Sequence, residues 1–319
     1  MKLCLVGDLH LRAKAPRRRK ESDFGTLCLS KLEQVLNIAW DHDCQAIIQA
    51  GDFFDRHDPS KALLADVIRL ILKEKQERGF DIPIYAIHGQ HDMVGHSLAS
   101  RDRSALRVME AAGAVVLLNG NNRKEDLYKT GRDWPSVSIT GISFGEGTWP
   151  INLRKKGDDS FSVFVEHIMV GDKPLWPGHE LTGPEAYAKK RAGYDLYLAG
   201  DYHYAWSKQL DNGAWAINAG CLLRLTADER DRTRRPKVVI FDTETRQPED
   251  VYLNVESWED VFDMTGYDDK PDDPARFDQM AERLRRGGQI GVSFDENLQA
   301  YYNQNDTPEK VRSLIAEPV

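Results

Sequence analysis

The sequence lacks any long apolar run. No stretch approaches the ~20 consecutive apolar residues that a transmembrane helix requires. The first apolar segment, residues 2–6, directly follows Met1, so we expect no signal peptide. Hydrophobic residues make up 41% of the chain and charged residues 29%, proportions typical of a globular protein with ample core. We therefore expect a cytoplasmic protein without a membrane partner, in which 319 residues form one large domain and a small one.

Cysteine is scarce and scattered. The four cysteines are Cys4, Cys28, Cys44 and Cys221, and no two have C-x-x-C spacing. This pattern favours buried free thiols in a reducing cytosol over disulfides or a zinc site.

The chain also lacks an excess of positive charge. Its net charge is −8 and its pI is near 5.7, which argues against a protein that holds DNA by bulk charge. A nuclease is not excluded, because some of the carboxylates would lie at a metal site. Six basic residues follow the first acidic motif: Arg12, Lys14, Arg17, Arg18, Arg19 and Lys20. Their loop, residues 11–23, is either a solvated surface loop or a contact to the phosphate backbone.

Five short apolar runs each end in a polar motif that contains an acid, a histidine or an amide. The runs are residues 2–6, 46–50, 83–87, 161–165 and 194–199. Such runs predict buried strands, and ligands bind at the strand exits of open α/β sheets. The candidate ligands at these exits are Asp8, His10, Asp52, Gln90, His167, Asp201 and His203.

Carboxylate, imidazole and amide groups together suit Mn²⁺, Fe²⁺ or Zn²⁺, whereas calcium and magnesium sites prefer oxygen alone. Seven ligands are too many for one tetrahedral ion with an open position. They suit two ions that share a carboxylate, for which we choose Asp52. Two ions roughly 3.5–4 Å apart clamp the attacking and leaving oxygens of a phosphoryl displacement.

The motifs resemble those of the calcineurin-like metallophosphoesterases, in matching order over residues 1 to about 225. They read Asp8-x-His10, Gly51-Asp52, Gly89-Gln90-His91-Asp92, His167 and Gly200-Asp201-Tyr202-His203. The resemblance implies a two-sheet α/β sandwich and two Mn²⁺ ions, with Fe²⁺ or Zn²⁺ as alternatives. It also implies that His91 assists the leaving oxygen or the developing charge, and that Asp55 and Asp92 orient their neighbours rather than bind metal.

Two positions depart from the family pattern. Gln90 stands where the family has Asn, and Asp201 stands where it has the first His of the last pair. In the family both positions ligate the second ion. We therefore expect either a second site with altered metal preference or a weak or empty one.

Finer features resemble SbcD-type nucleases, the nuclease subunits of two-subunit DNA repair machines. Asp52-Phe53-Phe54-Asp55-Arg56 is followed by Pro59-Ser60, and residues 218–225 resemble a P-G-S-x-x-R segment. The resemblance implies a Mn²⁺-dependent DNA exonuclease or endonuclease of repair or recombination that works with an SMC-type (SbcC-like) ATPase, and it also allows a homodimer. The length is nearer that of the short phage forms.

Candidate DNA contacts are Arg12, Lys14, Arg17, Arg18 and His57, although for His57 a solvated loop position is an equal alternative. Two other functions stay open. One is a small-substrate phosphatase or cyclic-nucleotide phosphodiesterase of the same fold. The other is a non-catalytic scaffold for the ATPase, in which Gln90 and Asp201 have abolished the second metal site.

Helical periodicity predicts helices at residues 24–42, from Ser60 to Gly79, and at 101–112. Residues 119–135 are polar and predict a surface connection. We expect the phosphoesterase domain to span residues 1–255 and a small C-terminal segment that caps the site or binds a partner to span 256–319. Two amphipathic helices are predicted in that segment, at 276–286 and 307–315.

Overall fold

The computed structural model consists of two six-stranded sheets that face each other, with helices on their outer sides. It describes residues 1–77, 82–118, 124–127, 136–147, 160–175, 179–191 and 193–265. The predicted two-sheet α/β sandwich is therefore confirmed.

Within the described residues, twelve strands and six α-helices make up these layers. The strands are β1 (Lys2–Val6), β2 (Cys44–Gln49), β3 (Ile84–Ala86), β4 (Val116–Leu117), β5 (Lys124–Leu127), β6 (Val137–Ile142), β7 (Phe161–Glu166), β8 (Leu196–Ala199), β9 (Trp206–Gln209), β10 (Trp215–Asn218), β11 (Lys237–Asp242) and β12 (Gln247–Tyr252). The helices are α1 (Phe24–Asp41), α2 (Lys61–Glu77), α3 (Ala105–Ala111), α4 (Pro184–Lys190), α5 (Glu229–Thr233) and α6 (Trp258–Val261). Two short 3₁₀ turns, Val94–His96 and Leu98–Arg103, precede α3.

Each sheet has a parallel centre. The first has the order β12-β11-β1-β2-β3-β4. In it β1 to β4 are parallel, and β11 runs antiparallel to both of its neighbours, β1 and β12. The second has the order β5-β6-β7-β8-β10-β9, in which β5 and β9 form antiparallel edges. Because the exits of parallel strands meet at one edge of a sheet, each sheet gathers its strand-end motifs on one side.

The core follows from the two-residue period of the strands. In β1, Leu3 and Leu5 face the second sheet and pack in a cluster with Val163 and Val165 of β7. The alternate residue Cys4 faces outward into a cluster with the apolar stripes of α1 and α2. Both faces of β1 are therefore buried, as is usual for a strand in the parallel centre of a sheet.

The helix boundaries follow the local sequence signals. Asp23 caps α1 by accepting a hydrogen bond from the Thr26 amide at 3.0 Å. At α2, the Ser60 hydroxyl oxygen accepts from the Leu63 amide at 3.3 Å, as the sequence predicts. The third helix is shorter than predicted, because residues 98–103 form a 3₁₀ turn before Ser104 caps α3.

Two strand regions differ from the sequence expectation. The polar connection at 119–135 contains β5, which pairs with β6 along Lys124–Leu127. The hairpin of β9 and β10 was not predicted, and its turn at Asp211–Gly213 has Gly213 at φ 83°.

Residues 256–265 pack against the preceding part of the chain. Trp258, Val261 and Phe262 are buried, and the Arg19 guanidinium lies 4.9 Å from the Phe262 ring centre. The predicted helices at 276–286 and 307–315 lie outside the described residues. Within the described ranges, no helix is long and apolar enough to cross a membrane.

Candidate metal centre

Five strand ends, three from the first sheet and two from the second, meet at one site. Asp8 and His10 follow β1, Asp52 follows β2, Gln90 and His91 follow β3, His167 follows β7, and Asp201 and His203 follow β8. The structure thus brings all seven predicted metal ligands and His91 into one region, although no spacing in the sequence relates the two sheets.

The first group of ligand atoms surrounds His10 Nε2. That nitrogen lies 3.1 Å from His203 Nε2, 3.6 Å from Asp52 Oδ2 and 3.9 Å from Asp8 Oδ2. Asp8 Oδ2 is 3.4 Å from His203 Nε2. Atoms that share an ion at about 2.1 Å stand roughly 3.0 Å apart in octahedral and 3.4 Å apart in tetrahedral coordination. The side chains of Asp8, His10 and His203 are therefore close enough to share one divalent cation, and Asp52 lies beside His10.

The second group also contains Asp52, whose Oδ2 atom faces both His10 and His167. Asp52 Oδ2 is 3.4 Å from His167 Nε2, and His167 Nδ1 donates to the Ala50 carbonyl at 2.6 Å. This hydrogen bond places a proton on His167 Nδ1, so Nε2 is the nitrogen that faces Asp52. Gln90 Nε2 donates to Asp201 Oδ1 at 2.7 Å. Asp52 is therefore common to both groups, as the sequence interpretation requires of a bridging ligand.

Several ligand atoms are buried without a hydrogen-bond partner in the described structure. They are Asp8 Oδ2, Asp52 Oδ2, Gln90 Oε1 and His167 Nε2. A buried polar atom without a partner costs about 1–3 kcal/mol, and more if it is charged. Four such atoms converging on one site are best explained by a bound cation, so the residues present fit divalent metal ions.

The charges of the site support the same conclusion. Burial raises the pKa of Asp8 well above its usual range, and the carboxylates of Asp52 and Asp201 raise it further. Burial lowers the pKa of His10 to about 3, which leaves a neutral imidazole able to ligate. Burial opposes protonation of His167, but Asp52, Asp8 and Asp201 outweigh it and raise the His167 pKa. This concentration of negative charge is what a divalent cation neutralises.

Three of the candidate ligands have left-handed backbone conformations. The φ angles are 44° at His10, 52° at Asp52 and 73° at Asp201. Non-glycine residues in this region are uncommon, although Asp and His tolerate it better than most. Such conformations cluster at functional sites, where surrounding contacts hold them.

Glycines allow the two sheets to approach this closely. A Cβ atom at Gly200 would lie 2.6 Å from His167 Nδ1 and 3.2 Å from Asp8 Oδ1. At Gly51, where φ is 95°, a Cβ atom would overlap the His167 ring. Any larger residue at either position would displace a candidate ligand.

Two buried side chains, Asp92 and Gln49, hold the ligand turns together. Asp92 accepts hydrogen bonds from the amides of Phe53, Phe54 and Gly89, at 2.9 to 3.3 Å. It thus joins the turn of Asp52 to that of Gln90, which is the orienting arrangement that the sequence suggested. The Gln49 side chain was missed, and it links the turns at Gly7 and Gly51. A glutamine at the end of an otherwise apolar strand was its only signal.

His91 lies at the edge of the first ligand group. Its amide donates to Asp52 Oδ1 at 2.8 Å, and its Nδ1 lies 3.0 Å from the Asp55 carbonyl oxygen. One ring nitrogen of His91 lies within 4.8 Å of ligand atoms of His10 and Asp52. The side chain is thus close enough to act on a group bound at the site.

The structure separates the predicted DNA-contacting residues. Arg12 forms an ion pair with Asp55 at 2.9 Å, and Arg18 donates to the Asp263 carbonyl at 3.3 Å. Lys14 and Arg17 are exposed, and His57 lies 3.8 Å from Asp58. A role in DNA contact stays a prediction for all five residues.

Comparison with known proteins identifies relatives of the chain. The family model described as calcineurin-like phosphoesterase matches residues 1–205. The DNA double-strand break repair protein Mre11 of Halobacterium salinarum is 28% identical over 251 residues, which cover 75% of this chain and 56% of that protein. Mre11 of Haloferax volcanii is 28% identical over 239 residues, covering 71% and 46%. The chain thus spans about half the length of these relatives.

Among solved structures, TT1561 of Thermus thermophilus covers 79% of this chain and 99% of its own, at 14% identity and a TM-score of 0.45. This sequence identity and TM-score are too low to support an argument about this chain. The family assignment therefore rests on the match to the family model. The chain belongs to the calcineurin-like phosphoesterase family.

Proposed function

We propose that the chain is a Mn²⁺-dependent DNA nuclease that hydrolyses phosphodiester bonds with two metal ions. The observation that carries the proposal is the set of buried ligand atoms, Asp52 Oδ2 among them, that have no hydrogen-bond partner among the described residues. Mn²⁺ is favoured because three histidines are among the seven ligands, and imidazole suits Mn²⁺ and Fe²⁺ better than Mg²⁺.

The two ions would be held by different residues. Asp8, His10 and His203 would hold the first ion, and Gln90, His167 and Asp201 the second, with Asp52 shared. When bound, the ions would supply an activated water and neutralise charge on the phosphoryl group.

His91 would assist the leaving group. Because the Asp55 carbonyl accepts from Nδ1 at 3.0 Å, one proton of the imidazole is held there and Nε2 is the nitrogen free to exchange a proton. A protonated Nε2 donates to the departing oxygen of the scissile phosphodiester. The Asp55 carboxylate forms an ion pair with Arg12. This pair anchors the loop of residues 11–23 next to the site.

DNA as substrate is supported by the relatives, both of which are named DNA double-strand break repair proteins. By resemblance to the SbcD-type nucleases, the same proposal includes an SMC-type ATPase partner, exonuclease or endonuclease activity, and a role in repair or recombination. Location in the cytoplasm is supported by four free, buried cysteines.

The test is digestion of labelled single- and double-stranded DNA with Mn²⁺ or Mg²⁺, in parallel with a chromogenic phosphodiester. We expect DNA cleavage with Mn²⁺ that exceeds cleavage with Mg²⁺, and loss of cleavage in Asp52→Ala. Hydrolysis of the small substrate without DNA cleavage would instead identify a small-substrate phosphatase or phosphodiesterase. Metal binding without hydrolysis of either substrate would identify a non-catalytic scaffold.

A further inference from the structure

A groove of about 570 Å³ lies beside the loop that carries His203. It is bounded by the loop after β7, the residues on either side of His203, helix α5 and the ends of β11 and β12. Its volume falls in the ~300–1,000 Å³ range of ligand pockets. None of the residues assigned to metal binding lines it.

The groove is strongly basic, although the chain as a whole is acidic. Five cations and one carboxylate, Asp172, are among its lining residues. Two of the cations are neutralised, Arg234 by Asp231 and Lys237 by Asp250, each at 2.6 Å.

The other three cations of the groove are Lys173, Arg230 and Arg235. All three are exposed, and within the described ranges none of them forms an ion pair with a carboxylate. They therefore offer three positive charges to an anionic ligand.

Two tyrosine rings lie next to these cations. The Arg235 guanidinium is 4.3 Å from the ring centre of Tyr252, and that of Arg230 is 5.5 Å from the ring centre of Tyr204. Tyr252 is 43% exposed, which among the described aromatic residues is matched closely by Trp40 at 40%. A groove for single-stranded nucleic acid combines cations that bind phosphates with aromatic rings on which bases stack.

The walls of the groove are fixed relative to the metal centre. The Tyr202 hydroxyl donates to the Lys173 carbonyl at 2.9 Å, and Arg230 donates to the Pro174 carbonyl at 3.2 Å. The Cys221 amide donates to the carbonyl of His203 at 3.0 Å. A strand bound in the groove would thus lie beside His203, whose neighbours Tyr202 and Tyr204 both line the groove.

We propose that this groove binds a single strand of DNA beside the metal centre, an inference that rests on the proposed nuclease function. Lys173, Arg230 and Arg235 contact phosphates, and Tyr204 and Tyr252 stack on bases. A duplex fits less well, because its bases are already stacked on one another and their faces are closed to tyrosine.

The test measures binding of fluorescein-labelled oligo(dT) by anisotropy in EDTA, where no hydrolysis occurs. The variants are Arg230→Ala, Arg235→Ala and Tyr252→Ala, with Lys189→Ala as the matched control. Lys189 is an exposed cation on α4 outside the groove, so its removal changes the net charge equally. Circular dichroism melting checks that each variant is folded.

We expect each arginine variant to weaken binding and to reduce the slope of log K against log salt by about 0.7, the value for one lost phosphate contact. Tyr252→Ala should weaken oligo(dT) binding roughly fivefold to a hundredfold. It should leave binding of heparin, a polyanion without bases, unchanged. The Lys189→Ala control should bind oligo(dT) like the unmodified protein.

The proposal is overturned if the groove variants bind oligo(dT) as the unmodified protein does, or if Lys189→Ala weakens binding as much as they do. An equal loss of heparin binding in Tyr252→Ala would also overturn the base-stacking role. Because binding is measured without metal, these outcomes are independent of whether the protein cleaves DNA. Failure of the groove proposal is therefore distinguishable from failure of the proposed nuclease function.

Discussion

The amide nitrogen of Gln90 donates a hydrogen bond of 2.7 Å to the carboxylate of Asp201. These are the two ligand positions at which the chain departs from the family pattern, and the structure places them in direct contact. The hydrogen bond turns Gln90 Oε1 away from Asp201, and that oxygen is buried without a partner. If the proposed assignment holds, the second site would have three oxygen ligands and one imidazole, whereas the first would have two carboxylates and two imidazoles.

We predict that Gln90→Asn combined with Asp201→His raises the affinity of the second site for Mn²⁺ or Zn²⁺ relative to Mg²⁺, because an imidazole replaces a hard oxygen. The double variant should bind metal better than the sum of the two single-variant effects predicts, since each single variant by itself breaks the hydrogen bond that the pair shares. Isothermal titration and metal analysis after dialysis measure both effects. Unchanged affinity and selectivity in the double variant would contradict the prediction.

We predict that His91→Ala leaves the metal content intact and lowers the hydrolysis rate by roughly 10²–10⁴-fold, the usual scale for acid–base assistance. The backbone amide of residue 91, which donates to Asp52 Oδ1, remains in the alanine variant, so Asp52 keeps its orientation. Metal analysis and single-turnover kinetics on a phosphodiester provide the two measurements.

The control for this experiment is Asp52→Ala, which should lose metal and activity together because Asp52 contributes to both ligand groups. His91 is also near enough to His10 and Asp52 to be a ligand itself. Loss of one ion in His91→Ala would therefore assign it to metal binding and refute its role as a proton donor.

The placement of the candidate ligands at strand ends could be predicted from the sequence because strand and motif are adjacent in the chain. A buried run followed by glycine and a carboxylate, as at Ala50-Gly51-Asp52, identifies a strand exit without knowledge of the tertiary structure. The pairing of Gln90 with Asp201 could not be predicted, because the two residues lie 111 positions apart on different sheets. The basic groove was missed for the same reason, since its cations come from separate segments.

The strands that were missed have weak local signals. In β9, Trp206 is buried but Ser207, Lys208 and Gln209 are all exposed, so no alternation of polar and apolar residues marks this edge strand. The strand β5, of sequence Lys-Glu-Asp-Leu, carries charged residues with low strand propensity. Both are edge strands whose formation depends on pairing with a partner already in the sheet.

We predict that Asp92→Ala destabilises the fold by about 3 kcal/mol or more, because three buried backbone amides lose their acceptor. Asp92→Asn should be milder, since it retains one carbonyl oxygen. Burial and the Asp52 carboxylate raise the pKa of Asp92 to about 7, so the site tolerates a neutral side chain. Urea unfolding measures both variants, and an alanine variant as stable as the unmodified protein would show that these three hydrogen bonds are dispensable.

We predict that residues 266–319 are needed to bind an ATPase partner but not to bind metal. The two predicted helices of this segment, at 276–286 and 307–315, each carry one apolar face that requires a partner surface. In SbcD-type nucleases the region beyond the phosphoesterase domain binds the ATPase, which is the resemblance behind the prediction. A truncation after Thr265 should keep its metal and its hydrolysis of a small phosphodiester, and should fail to co-purify with the cognate ATPase.

The matched control is a truncation after Val255, ten residues earlier. It removes the buried side chains of Trp258, Val261 and Phe262, and it exposes Arg19, which is otherwise packed between the rings of Phe24 and Phe262. We expect this shorter protein to unfold at lower temperature, because burying a large apolar side chain stabilises a protein by about 1.5–3 kcal/mol. If the protein truncated after Thr265 still binds the ATPase normally, the docking role is refuted. If that protein is insoluble or lacks metal, the C-terminal segment packs on the catalytic domain instead.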